Sequence, residues 1–158
     1  LGASLGVWDV LRLDRAGQLQ SLQVTMTKHP SSFKIKDEAV VAKLAEAAEK
    51  GESVEIARSD VRTINGIAPQ NTNTMAIYAL AAHSLGFQNC TGRLVADSKM
   101  TAHWVELEAI TKGGLRLELL RDNPARHGAV TGSATFGSFL QSLLHYRAGV
   151  AHHGWWFC

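Results

Sequence analysis

Two neighbouring stretches decide how this chain reads: PQNTNTMAIYALAAHSLG, residues 69–86, and RLVADSKMTAHWVELEA, residues 93–109. In the first, Thr74 to Leu85 is apolar nearly all the way round and broken only by His83 and Ser84, a pattern that predicts a buried helix. Gly86 stands where a left-handed C-cap belongs. Asn71, Thr72, Asn73 and Thr74 precede that helix, and each residue type can cap its first backbone N–H groups. The second stretch predicts two strands, Thr91 to Ala96 and His103 to Thr111, joined by the polar turn Asp97 to Ala102. Amides thus stand at a helix entrance and an imidazole at a strand entrance, two places where a fold can aim polar groups at a ligand.

Further elements extend outward from this centre. Leu5 to Asp14 has helix-like apolar spacing and stops at Gly17, and Leu22, Val24 and Met26 alternate with Gln23, Thr25 and Thr27 as in a half-buried strand. Pro30 and the serines after it close that strand. Asp37 to Lys50 opens with two acids and ends in Lys50-Gly51, as an exposed amphipathic helix does, and Ser53 to Ser59 follows as a strand. Leu115 to Arg121 pairs with His103 to Thr111 across the Lys112-Gly113-Gly114 hairpin. The loop Asp122 to Gly132 leads into a last helix from about Ser133 to Tyr146, and residues 147–158 form an irregular tail. Strands of this kind mixed with four helices predict one α+β domain over residues 1–158: a mixed, largely antiparallel sheet with helices on one face. Trp104, Ile110 and Leu120 would then leave apolar surface on the opposite face, which suggests cover by another sheet or subunit, most simply as a homodimer.

The composition, 46% hydrophobic and 19% charged over 158 residues, fits one globular domain with a sizeable core. A net charge of +2 with both signs interspersed provides no basic stripe for nucleic acid. No apolar run approaches the roughly 18 to 20 residues needed to span a bilayer. LGASLGVWDV lacks the order of a signal peptide, so the expectation is a cytoplasmic protein without a membrane partner. Two cysteines, Cys90 and Cys158, lack metal-ligand spacing, and His152-His153 with Cys158 makes a poor site, so no structural metal is expected. The run GSATFG at 132–137 has the glycine spacing of a phosphate loop, but Ser138 stands in place of its lysine. No Gly-x-Ser-x-Gly elbow is present, and nothing indicates a hydrolase.

His103 shares a strand face with Val105, Leu107 and Ala109, where neighbours can set an imidazole near neutrality for proton transfer; position alone favours the other reading, a hydrogen-bonded histidine at the core rim. One capping residue completes the structural reading of the helix entrance; Asn71, Thr72, Asn73 and Thr74 in a row are more than a cap needs, and a helix N-terminus suits an anionic or amide-bearing ligand. His29 follows Lys28 at a strand end before Pro30, on a loop that could meet a carboxylate, although position alone favours a solvated side chain. His83, inside the helical stretch, reads as a core or near-core histidine.

Taken in order, four segments resemble the NAD(P)-dependent L-aspartate dehydrogenase family. Gly2-Ala3 and the helix with Trp8-Asp9-Val10 resemble the turn leaving the family's dinucleotide domain, and Val24 to Pro30 resembles its Thr-Arg-Lys-Pro strand end. Pro69 to Asn73 is similar to its Pro-Lys-Asn-x-Asn helix entrance. Val95-Ala96-Asp97 through Glu106 is similar to its Ala-Asp-Pro to Asn-x-His-x-x-Glu strand pair. Asp122-Asn123-Pro124 and Gly128 to Thr135 match its animal branch most closely. The resemblance implies the C-terminal domain of a two-domain Rossmann dehydrogenase that oxidises L-aspartate to iminoaspartate with NAD or NADP, feeding NAD synthesis or aspartate metabolism. By it, His103 takes the place of the active-site histidine, and Asn73 and Ala3 those of cofactor contacts, with Asn71 beside them at the helix entrance. Lys28 and His29 become candidates for the substrate carboxylates. No Gly-x-Gly-x-x-Gly turn is present, so the N-terminal Rossmann half is expected to lie outside these residues and the fragment alone to be inactive. Two rivals stay open: a non-catalytic dimerisation domain of the same fold, and an oxidoreductase for another amino or hydroxy acid.

Overall fold

A computed structural model describes residues 5–126, 128–131 and 134–147 of the chain. The elements run α1 (Val7–Arg15), β1 (Leu19–Lys28), a single 3₁₀ turn (Pro30–Ser32), α2 (Glu38–Lys50), β2 (Ser53–Asp60), α3 (Val61–Ile67), α4 (Asn73–Ala81), β3 (Cys90–Asp97), β4 (Ala102–Thr111), β5 (Arg116–Pro124) and α5 (Ala134–Arg147). The five strands form one sheet in the order β2-β3-β1-β4-β5. β1 pairs in parallel with β3, and every other pairing is antiparallel. The result is the mixed, largely antiparallel α+β sheet with helices on one face that the sequence implied.

The local reasons are conventional. Asp37 caps α2 by accepting from the Val40 N–H at 3.1 Å, and Gly51 closes it in the left-handed region at φ 64°. α3 is absent from the sequence reading; its cap is Asp60, whose carboxylate accepts from the Thr63 N–H at 2.9 Å. α4 ends at Ala81, four residues sooner than the apolar run suggests, because the next turn is drawn away: Asp14 accepts from the Ser84 N–H at 3.1 Å. That early stop leaves His83 exposed, correcting its expected place in or near the core.

Period-two alternation sorts the sheet into two faces. Val105, Leu107 and Ala109 of β4 and Leu22, Val24 and Met26 of β1 are buried on the inner face, under the helices. Gly92 of β3 sits there too, where a Cβ would approach Ile64 and Met75 to 3.2 Å, so its bare backbone lets α3 and α4 lie close to the sheet. The outer face is mixed. Trp104 (37% exposed) and Leu120 (59%) lie on it with Glu106, Glu108, Arg93 and Arg116, and Arg116 bridges Glu108 and Glu118. Of the apolar outer face expected from Trp104, Ile110 and Leu120, Ile110 is half-buried and the other two are open.

Candidate active site

Sheet topology brings the polar groups together. β1 and β5 run the same way and β4 runs against both, so the C-terminal ends of β1 and β5 flank the N-terminal end of β4. His103 lies opposite Asn123, and Val105 opposite Arg121. Met26 lies opposite Val105, which places Lys28, two residues on, at the same end and on the same inner face. The α4 entrance lies over this end. Lys28, His103, Arg121, Asn123, Asn73 and Thr74 consequently line one cleft, together with Gln70, Asn71 and the Val130–Thr131 backbone turn. No carboxylate is among the described residues that line it.

Two cations therefore share a partly buried space. Lys28 is 2% exposed, and its Nζ donates to the Val130 carbonyl at 3.4 Å. Burial, and then the nearby Arg121 charge, lower its ammonium from 10.5 to about 8, so it stays largely protonated at neutral pH. Arg121 donates from Nη2 to the Thr74 hydroxyl at 3.3 Å. Burial lowers its guanidinium as well, with Tyr78 acting against that shift, and the Tyr78 hydroxyl donates to the Leu5 carbonyl.

His103 is 5% exposed, and its Nε2 is buried without a hydrogen-bond partner among the described residues. Burial first, and the Lys28 charge second, lower the ring from 6.5 to about 4, while a backbone hydrogen bond at Ala129 opposes them. The ring is neutral at pH 7 and can accept a proton or a hydrogen bond. A buried nitrogen without a partner among the described residues is costly for folding alone.

At the α4 entrance the asparagines divide the work. Asn71 is buried, accepts from the Lys34 N–H at 3.0 Å and donates to the Ser32 carbonyl at 2.8 Å, tying the 3₁₀ turn after β1 to the helix entrance. Thr72 turns its hydroxyl back to Asn65 at 2.7 Å and does not cap α4, which has no side-chain cap at all. Asn73 is exposed at the first turn and faces the cleft with its amide available.

Of the residues singled out from sequence, Lys28, Asn71, Asn73 and His103 are brought together. His29 is not in this cleft: it lines an adjoining hollow with Ser32, Met100 and Arg126 that shares only His103 with the first, and its Nδ1 accepts from the Ser31 N–H at 3.2 Å. Ala3 lies outside the described residues, as do His127, His152, His153 and Cys158. Sequence reasoning missed Arg121 and Asn123, while Thr74 belongs to the helix-entrance run it singled out. For both a signal was present, since Leu117 and Leu119 point inward and the same alternation carries Arg121 and Asn123 inward after them. Cys90 is buried and its thiol is pushed up to about 11, which makes it inert. Among the described residues no group of three or more metal-ligating side chains gathers, and no helix is long and apolar enough to cross a membrane.

Comparison with known proteins converges on one family. A family profile described as "Aspartate dehydrogenase, C-terminal" matches residues 9–142. An aspartate dehydrogenase domain-containing protein of Xenopus tropicalis is 41% identical over 150 residues, covering 90% of this chain and 52% of that protein. Its Danio rerio counterpart is 38% identical over 145 residues, covering 90% and 51%. The crystal structure of aspartate dehydrogenase from Thermotoga maritima superposes with a TM-score of 0.62 at 14% identity, over 98% of this chain and 53% of that one, and so shares its fold. The chain spans about half the length of the curated relatives it matches. Profile, relatives and fold agree, and the chain belongs to the aspartate dehydrogenase family, as its C-terminal domain.

Proposed function

We propose that this chain is the substrate-side domain of an NAD(P)-dependent L-aspartate dehydrogenase that oxidises L-aspartate to iminoaspartate, acting with a dinucleotide-binding domain outside these 158 residues. The observation that carries the reading is the buried Nε2 of His103, without a partner among the described residues, beside two cations in a cleft whose described lining holds no carboxylate. The oxidation takes a hydride from the substrate Cα and a proton from its nitrogen. A nicotinamide bound beside the cleft would supply the acceptor for that hydride.

The chain's own residues supply the rest. Asn73 fits a carboxamide, since its exposed amide offers both a donor and an acceptor at the cleft. Asn71 holds the entrance in shape, and its assignment as a second cofactor contact rests on the resemblance. Lys28 pairs with a substrate carboxylate, and His103 takes the proton leaving the amine. A ring held near 4 is a weak base, but a carboxylate bound against Lys28 offsets one of the two causes of that depression. Substrate binding thus raises the proton affinity of His103 when it is needed. Ala3, beyond the described residues, is assigned to the cofactor by resemblance. The open sheet face with Trp104 and Leu120 is assigned to a two-fold homodimer.

Substrate profiling of the longer protein containing this domain tests the reading. The expected result is reduction of NAD or NADP dependent on L-aspartate. Reduction with another amino or hydroxy acid but none with aspartate contradicts the substrate, and no reduction with any contradicts the enzyme.

A further inference from the structure

The last helix, α5, is amphipathic in the wrong sense for this domain. Phe136, Phe139, Leu140, Leu143 and Leu144 recur at the three- and four-residue spacing of a single helix face, and they are between 48% and 77% exposed. Thr135 and Ser138, on the other side of the helix, are half-buried, and Thr135 lines the His103 cleft. The polar side thus adjoins the domain and the apolar side turns away from it. Among the described residues no strand or helix packs broadly against α5. Five large apolar side chains in one row exceed the patch of about a few hundred Å² that a soluble monomer usually leaves in water.

Composition and position narrow what covers this face. From Ala134 to Tyr146 the helix has no lysine, arginine or acid, so it lacks the basic polar side with which an amphipathic helix lies on a membrane. A second copy of the domain is already assigned to the outer face of the sheet, whereas α5 starts at the cleft, beside Val130 and Thr131. The longer protein has one more body to place: this chain matches 52% of the Xenopus tropicalis relative and, by its family profile, the C-terminal part. A preceding half joins on this same side. The Leu5 carbonyl accepts from Tyr78 of α4, and Gly6 lies against Leu119 of β5, the edge strand that α5 follows. We propose that the apolar face of α5 is the seat of the dinucleotide-binding half of the same chain, which it holds at the cleft end of this domain. An apolar joint of this kind limits relative motion of the two halves where a polar one would leave it free. The proposal rests on reading the longer protein as a two-domain dehydrogenase, and it adds the surface on which the halves meet.

The test is photo-cross-linking of the longer protein, with Phe139 and, in a separate protein, Leu143 replaced by p-benzoylphenylalanine. After irradiation, a denaturing gel separates joined chains from single ones and peptide mass spectrometry locates the attachment. The expected product runs at the mass of one chain and links α5 to peptides outside these 158 residues. Attachment to these 158 residues, whether of another copy or of the same chain, overturns the proposal. So does attachment only to the outside half of a second copy, or no peptide product at either position. Two positions guard against a variant that does not fold. Should neither fold, hydrogen exchange of the unsubstituted proteins decides: α5 amides slowed at least about 10-fold in the longer protein relative to the 158-residue chain support the seat, and equal rates overturn it. A longer protein that reduces NAD or NADP with L-aspartate while α5 attaches elsewhere keeps the dehydrogenase reading and loses only this role of α5. The expected cross-link in a protein that reduces neither keeps the joint and loses that reading.

Discussion

The inner face of the sheet carries one alternating row along each strand, yet its two ends differ in chemistry. Toward the β4–β5 hairpin the row is Leu107 and Ala109 against Leu119 and Leu117, and its β4 members are almost wholly buried. Toward the other end it becomes His103 against Asn123 and Val105 against Arg121, with Lys28 arriving from β1. Pleat, register and covering helices are shared, so the difference does not come from architecture. At one end the sequence completes a core, and at the other it sets polar groups into it, among them the His103 Nε2 with no partner among the described residues. Such a place is where a stability cost is tolerated for binding or catalysis.

Four predictions press on that contrast. The largest effect is all-or-none: the 158-residue chain, with one end of the cleft built and no dinucleotide fold among its described elements, should reduce no NAD or NADP with L-aspartate, whereas the longer protein should. A spectrophotometric assay of both decides it, and activity from the short chain would break the division of labour. Next comes stability. Leu107→Ala, at the finished end, should cost about 2–5 kcal/mol in denaturant unfolding, while Lys28→Met at the unfinished end should be neutral or stabilising because it removes a buried ammonium. Equal losses at both sites would mean that Lys28 is structural.

The third prediction is a pH dependence. His103 has a folded value near 4 against 6.5 when unfolded, so the unfolded chain binds its proton first as pH falls. Its contribution should be fully present above pH 6.5 and lost between 6.5 and 4, by on the order of 3 kcal/mol, and His103→Gln should flatten that limb of the stability curve. An unchanged acid limb in the variant would show that the ring is hydrated. The smallest effect concerns the outer face. Leu120→Glu should shift a dimer to monomer in sedimentation at micromolar concentration without changing the fold; a monomer before substitution would leave Trp104 and Leu120 open for another reason.

Much of this was legible from residues alone. Period two in Leu22 to Met26 and in His103 to Ala109 gave the central strands and their inner rows, and the apolar run after Asn73 gave the helix above them. Four residues of the cleft, Lys28, Asn71, Asn73 and His103, were visible because polar types sat at element ends. What was hidden was hidden for physical reasons. α3 has a single local cap and no long apolar period, so its existence depends on packing against β2, β3 and α4. The end of α4 depends on Asp14, seventy residues earlier in the chain, and no local signal reports that contact. The strand pairing that sets Arg121 across β4 from Lys28 is equally non-local, although the alternation from Leu117 already pointed Arg121 inward.

The central claim is that the unfinished end of the inner face is the substrate site and that His103 moves the proton there. The most direct measurement is steady-state kinetics of the longer protein with His103→Ala, beside Asn73→Ala and with the thermal transition of each variant recorded. The account predicts that His103→Ala lowers turnover by roughly 10² to 10⁴-fold with the transition preserved, and that Asn73→Ala mainly raises the Michaelis constant for the cofactor. Near-normal turnover in His103→Ala, or loss of the folded state, would contradict it and return the imidazole to the rim of the core.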